Sequence, residues 1–486
     1  LFALLLIIGG FLLTRSGDPK TTAGERRVSE TTATTQPNLV TTAAGDTTLV
    51  PGPSPAPVET QAPQQPVPQQ PGPQQPAPQQ PGPQQPTPTP TPAPTPTPAP
   101  TTTPTTAPPT TTTTLAPLPN PVVAKSGASI TLTTTRATVA SISVPAGNWT
   151  ILAKWTPVNW GLGDWFRCVL RNATTGIDID GSTIRVVGNT SWVMTGHNAA
   201  QVSLTAVTPV QLQCWRDGEA AAGPYLDPGA TIMAVPARAA ADQVTARNTA
   251  DTPLGTTETV VTQVNLGPGP WLVGFKATTV GFIAGFAVVT CRVDVAPEAI
   301  SKGEVGAVAG GQNRWAVSLV GHGSANGGVT AKLLCSSSVA GTKLDGGTAV
   351  LWARKVASAA TGSGACGGAV GAAELMVVRT NGCGVAPNGA APASVGSAQL
   401  AAGRWVALAA ETISSNADGT IIRCSNSLDA SSGSASLLRL NPTPTGTMSY
   451  LDLSSGGNTP VIRCGIDGGG YTGNATVTGT QVFLKI

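Results

Sequence analysis

Residues 146–154 read AGNWTILAK, a turn glycine followed by a strand-like apolar run. The same phrase returns as GPGPWLVGFKA over 267–277 and as AAGRWVALAAE over 401–411. A cysteine follows each tryptophan at a fixed remove: Trp149 to Cys168 is 19 residues, Trp271 to Cys291 is 20, and Trp405 to Cys424 is 19. A second cysteine comes 46, 44 and 40 residues after the first, at Cys214, Cys335 and Cys464. Phe166, Val289 and Ile422 each stand two residues before the first cysteine, which puts them on the same face of a strand as that cysteine. Each copy then closes on an apolar run: TIMAV (231–235), TAVLWA (348–353) and TQVFLKI (480–486). Several elements in one order, repeated three times, define a tandem repeat.

The runs between these landmarks alternate polar and apolar residues, as in VSLTAV (202–207), VQLQC (210–214) and AKLLC (331–335), with Gly and Asp-Gly breaks. Period-two patterning predicts strands, and no amphipathic helix of useful length is present in the pattern. The fold class is therefore all-β: three tandem β-sandwiches over 121–238, 239–357 and 358–486, the last including a linker. Within each unit the two cysteines sit on inward-facing strand positions, and the expected pairs are Cys168–Cys214, Cys291–Cys335 and Cys424–Cys464. Cys366 and Cys383, 17 apart, are left to pair with each other. No grouping has the tight C-x₂₋₄-C spacing of a zinc site, so neither metal nor cofactor is expected.

Upstream the composition changes. LFALLLIIGGFLL (1–13) is an uncharged apolar run, and 1–20 is expected to be a signal anchor; cleavage and secretion are the alternative. Residues 21–120 are Thr-, Pro- and Gln-rich, with a Pro-x-Pro-Gln-Gln beat over 63–86 and Thr-Pro tracts beyond. Proline fixes φ and removes backbone donors, and too little apolar surface is present to offset chain entropy, so a disordered, semi-rigid stalk is expected. Only 10% of residues are charged and the net charge is +3, without a Lys/Arg run. A nucleic-acid partner is excluded on that balance.

The order Gly-x-Trp, Cys-bearing strand, V-x-L-x-Cys strand (Val210-x-Leu212-x-Cys214) and closing apolar strand resembles the C1q/TNF-like jelly roll. Tryptophan stands where that family has tyrosine. Thr208-Pro209 and Thr459-Pro460 stand where it has Gly-Asp. The resemblance implies a trimerising recognition module, with three tandem copies forming a pseudo-trimer in one chain.

For chemistry, the first unit alone carries KWTPVNWGLGDWF (154–166), which places Trp155, Trp160 and Trp165 five residues apart in what reads as a connection. Ring faces on a loop stack on sugar rings, so these three are the candidate ligand-binding residues; packing against the sandwich is the competing reading. Asp178-Ile179-Asp180-Gly181 would set two carboxylates on one strand face, but Asp-Gly is first of all a hairpin turn. Cys-x-x-Asp-Gly at Asp217 and Asp467, and Leu-Asp-[PG]-Gly at Asp227 and Asp345, read as turns for the same reason. His197 and His322 read as loop histidines. No G-x-S-x-G elbow accompanies them, and the chain is not expected to be an enzyme.

The expected function is a surface binding or adhesion protein, held in the membrane by a single pass with its C-terminal domains outside. Its ligand would be a glycan or another surface. A purely structural envelope component is the alternative, and a cell-wall-active enzyme ranks third.

Overall fold

The computed structural model describes residues 118–486 apart from 160–162, 187–193, 219–222, 282–286, 296–297, 300–302, 308–312, 326–327, 365, 367, 372, 386–391, 416–420, 427–435, 440–445, 456–460 and 467–473. The apolar run 1–13 and all but the end of the Pro/Thr-rich stretch lie outside the described residues. Among the described residues the regular structure is β-strand apart from one 3-10 turn at Ala240–Asp242.

In the first unit the strands are β1 (Val122–Lys125), β2 (Ala137–Val144), β3 (Gly147–Trp155), β4 (Asp164–Asn172), β5 (Ile177–Val186), β6 (Gly196–Leu204), β7 (Thr208–Arg216) and β8 (Thr231–Ala237). They form two four-stranded antiparallel sheets of order β1-β8-β3-β6 and β2-β7-β4-β5. That wrapping of strands onto two facing sheets is the jelly roll.

The second unit repeats it with β9 (Gln243–Arg247), β10 (Thr259–Leu266), β11 (Gly269–Gly281), β12 (Ala287–Val295), β13 (Gly303–Ala307), β14 (Asn313–Ala325), β15 (Val329–Ser337) and β16 (Val350–Lys355). Its sheets run β9-β16-β11-β14 and β10-β15-β12-β13. The third unit uses β17 (Leu375–Gly384), β18 (Ala393–Leu400), β19 (Arg404–Ser415), β20 (Ile421–Asn426), β21 (Ser436–Arg439), β22 (Gly446–Ser455), β23 (Val461–Ile466) and β24 (Ala475–Lys485). Here the order is β17-β24-β19-β22 and β18-β23-β20-β21, with Ala359–Gly364 and Ala369–Gly371 added in parallel at the edges.

The repeated phrase now has a physical reason. Its glycine sits in the turn into β3, β11 or β19 with φ of 132°, 116° and 140° at Gly147, Gly269 and Gly403, a region that disfavours any side chain with a Cβ. Two residues on, Trp149, Trp271 and Trp405 are buried in the sandwich interiors. The indole nitrogens of Trp271 and Trp405 donate to the carbonyls of Gly267 and Ala401, which close the same turns.

All four expected disulfides are present, and no described cysteine is free. Cys168 faces Cys214 directly across β4 and β7, and Cys291–Cys335 and Cys424–Cys464 repeat that register. Phe166, Val289 and Ile422 are fully buried on the same faces.

The three units also share a core. Residues next to the tryptophans along β3, β11 and β19 point out of the sandwiches. There Leu152 and Met233 from the first unit meet Leu272 and Trp352 from the second and Leu408 and Val482 from the third in one apolar cluster. Burying such a side chain contributes about 1.5–3 kcal/mol, so the contact is cohesive rather than incidental. The strands close a ring: β14 lies against β5 of the first unit and against β19 and β24 of the third, while β22 lies against β3.

Candidate functional site: the outer face of the first unit

Of the three candidate tryptophans, the two among the described residues, Trp155 and Trp165, lie on strands rather than in a loop. Trp155 is the last residue of β3 and is wholly buried. Its Nε1 donates to Asn198 Oδ1 at 3.0 Å, and its ring fills the space above Gly196, where a Cβ would lie 2.4 Å from it. That close packing withdraws Trp155 from any ligand. Trp160 lies outside the described residues. Trp165 is the second residue of β4, anchored by Asp164, whose buried carboxylate accepts from the Trp165 and Gly218 amides and pairs with Arg216 at 2.9 Å. Its side chain points out of the sandwich, yet it is only 8% exposed because the Arg185 guanidinium covers it, 5.3 Å from the ring centroid.

The outward side of the β2-β7-β4-β5 sheet carries polar and aromatic groups in rows. On β7, alternation buries Val210, Leu212 and Cys214 and turns Gln211, Gln213 and Trp215 outward. On β4 it buries Phe166, Cys168 and Leu170 and turns Trp165, Arg167, Val169 and Arg171 outward. Gln213 Nε2 donates to Gln211 Oε1 at 2.8 Å, and Thr138 Oγ1 adjoins both amides at 3.4 Å, so the amide groups are pre-oriented. Arg167 forms a two-pronged pair with Asp217 at 2.9 and 2.7 Å, which raises the Arg167 pKa further. Arg136, just before β2, lies over the Trp215 ring at 4.3 Å. It then reaches Asp178 on β5 at 2.9 Å, where Arg171 also binds at 2.8 Å.

That last contact spans the face. Arg136 and Asp178 belong to opposite edges of the sheet, three inter-strand spacings apart. The 2.9 Å ion pair joins the two edges across the outer side, with Arg136 as a strap above Trp215. The second unit turns Thr290, Arg292 and Asp294 outward on β12 and Lys332, Leu334 and Ser336 on β15. The third turns out Arg423 and Ser425 on β20 and Arg463 on β23. Among these described residues no aromatic stands on either face. Nothing in the local sequence signals the site: Trp215 is adjacent to Cys214 and reads as part of the disulfide strand, and its Arg136 partner is far upstream.

The two aspartates of 178–181 are separated by a bulge. Arg171 pairs with Asp178 but Leu170 with Asp180, leaving Ile179 as the extra residue. The segment is therefore continuous strand rather than a hairpin turn, and the carboxylates face opposite ways. Asp180 is buried at the junction with the second unit. Its Oδ1 meets Arg247 Nη2 at 2.7 Å and Lys276 Nζ at 3.0 Å, and its Oδ2 accepts from Asn198 Nδ2 at 3.1 Å and the Ala199 amide at 3.0 Å.

Lys276 and Lys154 occupy the same position of the repeated phrase, five residues after the tryptophan. His197 lies in β6 opposite Lys154, not in a loop, and His322 likewise lies in β14. His197 Nε2 is buried with no hydrogen-bond partner among the described residues. Burial, then the charges of Lys154 and Lys276, push its pKa down to about 3. Burial also lowers Lys276, against the pull of Asp180. A second junction joins all three units: Glu374 pairs with Arg238 at 3.1 Å and lies 3.6 Å from Arg354, whose pKa burial lowers to about 10. These buried groups fix the units to one another. The expected turns at Asp217, Asp227 and Asp345 are present, with Gly218, Gly229 and Gly347 at positive φ; Asp467 lies outside the described residues.

No family model matches the chain, and neither does any curated protein. Solved structures with overlapping strand arrangement include infectious bursal disease virus, Gt strain (9% identity, 75% of this chain and 83% of that one, TM-score 0.18). Another is Sulfolobus Turreted Icosahedral Virus (8% identity, 75% and 90%, TM-score 0.19). A third is the CBM22-1-CBM22-2 tandem domain of Paenibacillus barcinonensis Xyn10C (10% identity, 48% and 92%, TM-score 0.16). With TM-scores this low, the jelly-roll assignment rests on strand order and register.

Proposed function

We propose that this chain is an exported surface-recognition protein that binds glycans on the outer face of its first jelly roll. One observation carries the reading: Trp215 beneath Arg136, beside the ordered amides of Gln211 and Gln213 and the Thr138 hydroxyl, is a set that neither other unit repeats among its described residues. An aromatic face takes the C–H side of a sugar, and amides and guanidinium groups take its hydroxyls. Export is supported by the pairing of all eight cysteines, which belongs to oxidising compartments. In this reading the apolar run 1–13 anchors the chain in the membrane and the Pro/Thr-rich stretch holds the head away from it.

The head itself we read as a C1q/TNF-like pseudo-trimer. The shared apolar cluster and the closed ring of strand contacts support this. A solution-scattering profile of three beads in a line would overturn it.

Glycan-array binding by the full chain tests the site. Trp215→Ala is expected to weaken binding at least about tenfold, some 1.4 kcal/mol, with an unchanged far-UV spectrum. Wild-type binding by that variant would defeat the proposal.

A further inference from the structure

Resting on the glycan reading above, we infer that the sugar recognised is acidic, and that Asp178 is the chain's own stand-in for the ligand's anionic group. Two guanidinium groups converge on this one carboxylate: Arg136 Nη1 at 2.9 Å and Arg171 Nη1 at 2.8 Å. Two positive charges against one leave the cluster with a net positive charge. Each guanidinium carries five N–H donors in a planar fork, and each uses only Nη1 on Asp178. The remaining donors are accessible, since the three side chains are 39%, 30% and 33% exposed for Arg136, Arg171 and Asp178. Exposed pairs of this kind contribute little to stability, and a better acceptor displaces them readily.

The geometry says what displacement would do. Arg136 crosses the Trp215 ring to reach Asp178, so the ion pair is a strap over the aromatic face. A carboxylate or sulfate offers the two arginines a replacement for Asp178, with the two-pronged geometry that guanidinium groups favour. Arg136 then swings from the ring with its new partner, and the ring face becomes available to the sugar that carries the acid. A neutral sugar offers no such exchange and finds Trp215 covered. Gln211, Gln213 and Thr138 stand beside the exchange point to take the hydroxyls of that residue or its neighbour.

The test is calorimetric titration of the full chain with three oligosaccharides of equal length: a galacturonate, a sulfated galactose and neutral galactose. The expected result is at least tenfold tighter binding of an acidic form than of the neutral one, weakening as salt rises. Preference for uronate or for sulfate identifies which acid is the natural source. Arg136→Gln with Arg171→Gln is expected to abolish the preference. Asp178→Asn, which removes the internal competitor, is expected to tighten acidic binding several-fold and to change tryptophan fluorescence in the unliganded protein. Equal affinity for neutral and acidic forms would leave the glycan reading standing and overturn the acidic class. Binding of none of the three would defeat both. Weaker acidic binding by Asp178→Asn would overturn the stand-in role and make Asp178 a positioning residue for the arginines.

Discussion

Asp178 and Asp180 are two residues apart, both on β5, and both meet two cations. Asp178 does so in the open, with Arg136 and Arg171. Asp180 does so in the dark, with Arg247 and Lys276, while Asn198 and the Ala199 amide take its second oxygen. The formal chemistry is the same, and one bulged residue sends it to opposite ends of the energy scale. In water, an ion pair is screened and remains exchangeable. Away from water, Asp180 and Lys276 depend on each other, because neither has solvent to return to; Arg247 reaches the same carboxylate from the partly exposed side. The first arrangement suits recognition, and the second suits the fixing of one unit to the next.

The largest effect is expected at Asp180. Asp180→Asn leaves the Lys276 amine buried without its carboxylate partner, and about 3–5 kcal/mol of stability is expected to be lost, read as a lower denaturant midpoint for the full chain. Adding Lys276→Met to that variant removes the stranded amine. It is expected to restore most of the loss, since apolar replacement of a whole buried pair is often neutral; a double variant no better than the single one would show that the pair acts through something other than charge.

His197, buried beside Lys154 and Lys276 at the same junction, makes stability depend on pH. Its folded pKa, about 3, lies below its ordinary value of 6.5. Above pH 6.5 the imidazole is neutral in folded and unfolded chains alike, and its contribution to stability is complete. As pH falls, the unfolded chain takes up the proton first, so stability drops by about 1.4 kcal/mol per pH unit until roughly pH 3. His197→Gln is expected to remove one proton's worth of that slope between pH 6 and 4. An unchanged slope would show that the imidazole is solvated in the folded protein. The smallest effect belongs to the exposed partner: Asp178→Asn is expected to change stability by no more than about 1 kcal/mol. A larger loss in chemical denaturation would mean that the strap holds the two edges of the sheet together.

The framework of the molecule was legible because its signals are local and repeated. A turn glycine, a core tryptophan and inward-facing cysteines recur at fixed spacing, and strand alternation alone puts Phe166 with Cys168 and Val210 with Leu212 and Cys214. What misled was also local. Asn159 to Asp164 looks like an exposed connection between tryptophans, but Trp155 and Trp165 belong to strands on either side of it, one buried over Gly196 and the other covered by Arg185. Asp180-Gly181 has the composition of a turn, and pairing with β4 holds it in a strand instead. The outer face was illegible for a different reason. Arg171, Asp178 and Trp215 sit on three different strands and Arg136 just before a fourth, and only the register of the sheet brings them together.

The ring of three units has a further consequence. An ordinary homotrimer repeats whatever it carries, so a weak site is presented three times and gains from avidity. Here the three copies are separate stretches of one chain, free to diverge while their shared apolar cluster keeps them together. The price of that freedom is valency. Under the proposed glycan reading, with the face on the first unit, one chain would engage one ligand at a time, and multivalent grip would come from many chains crowded on one surface.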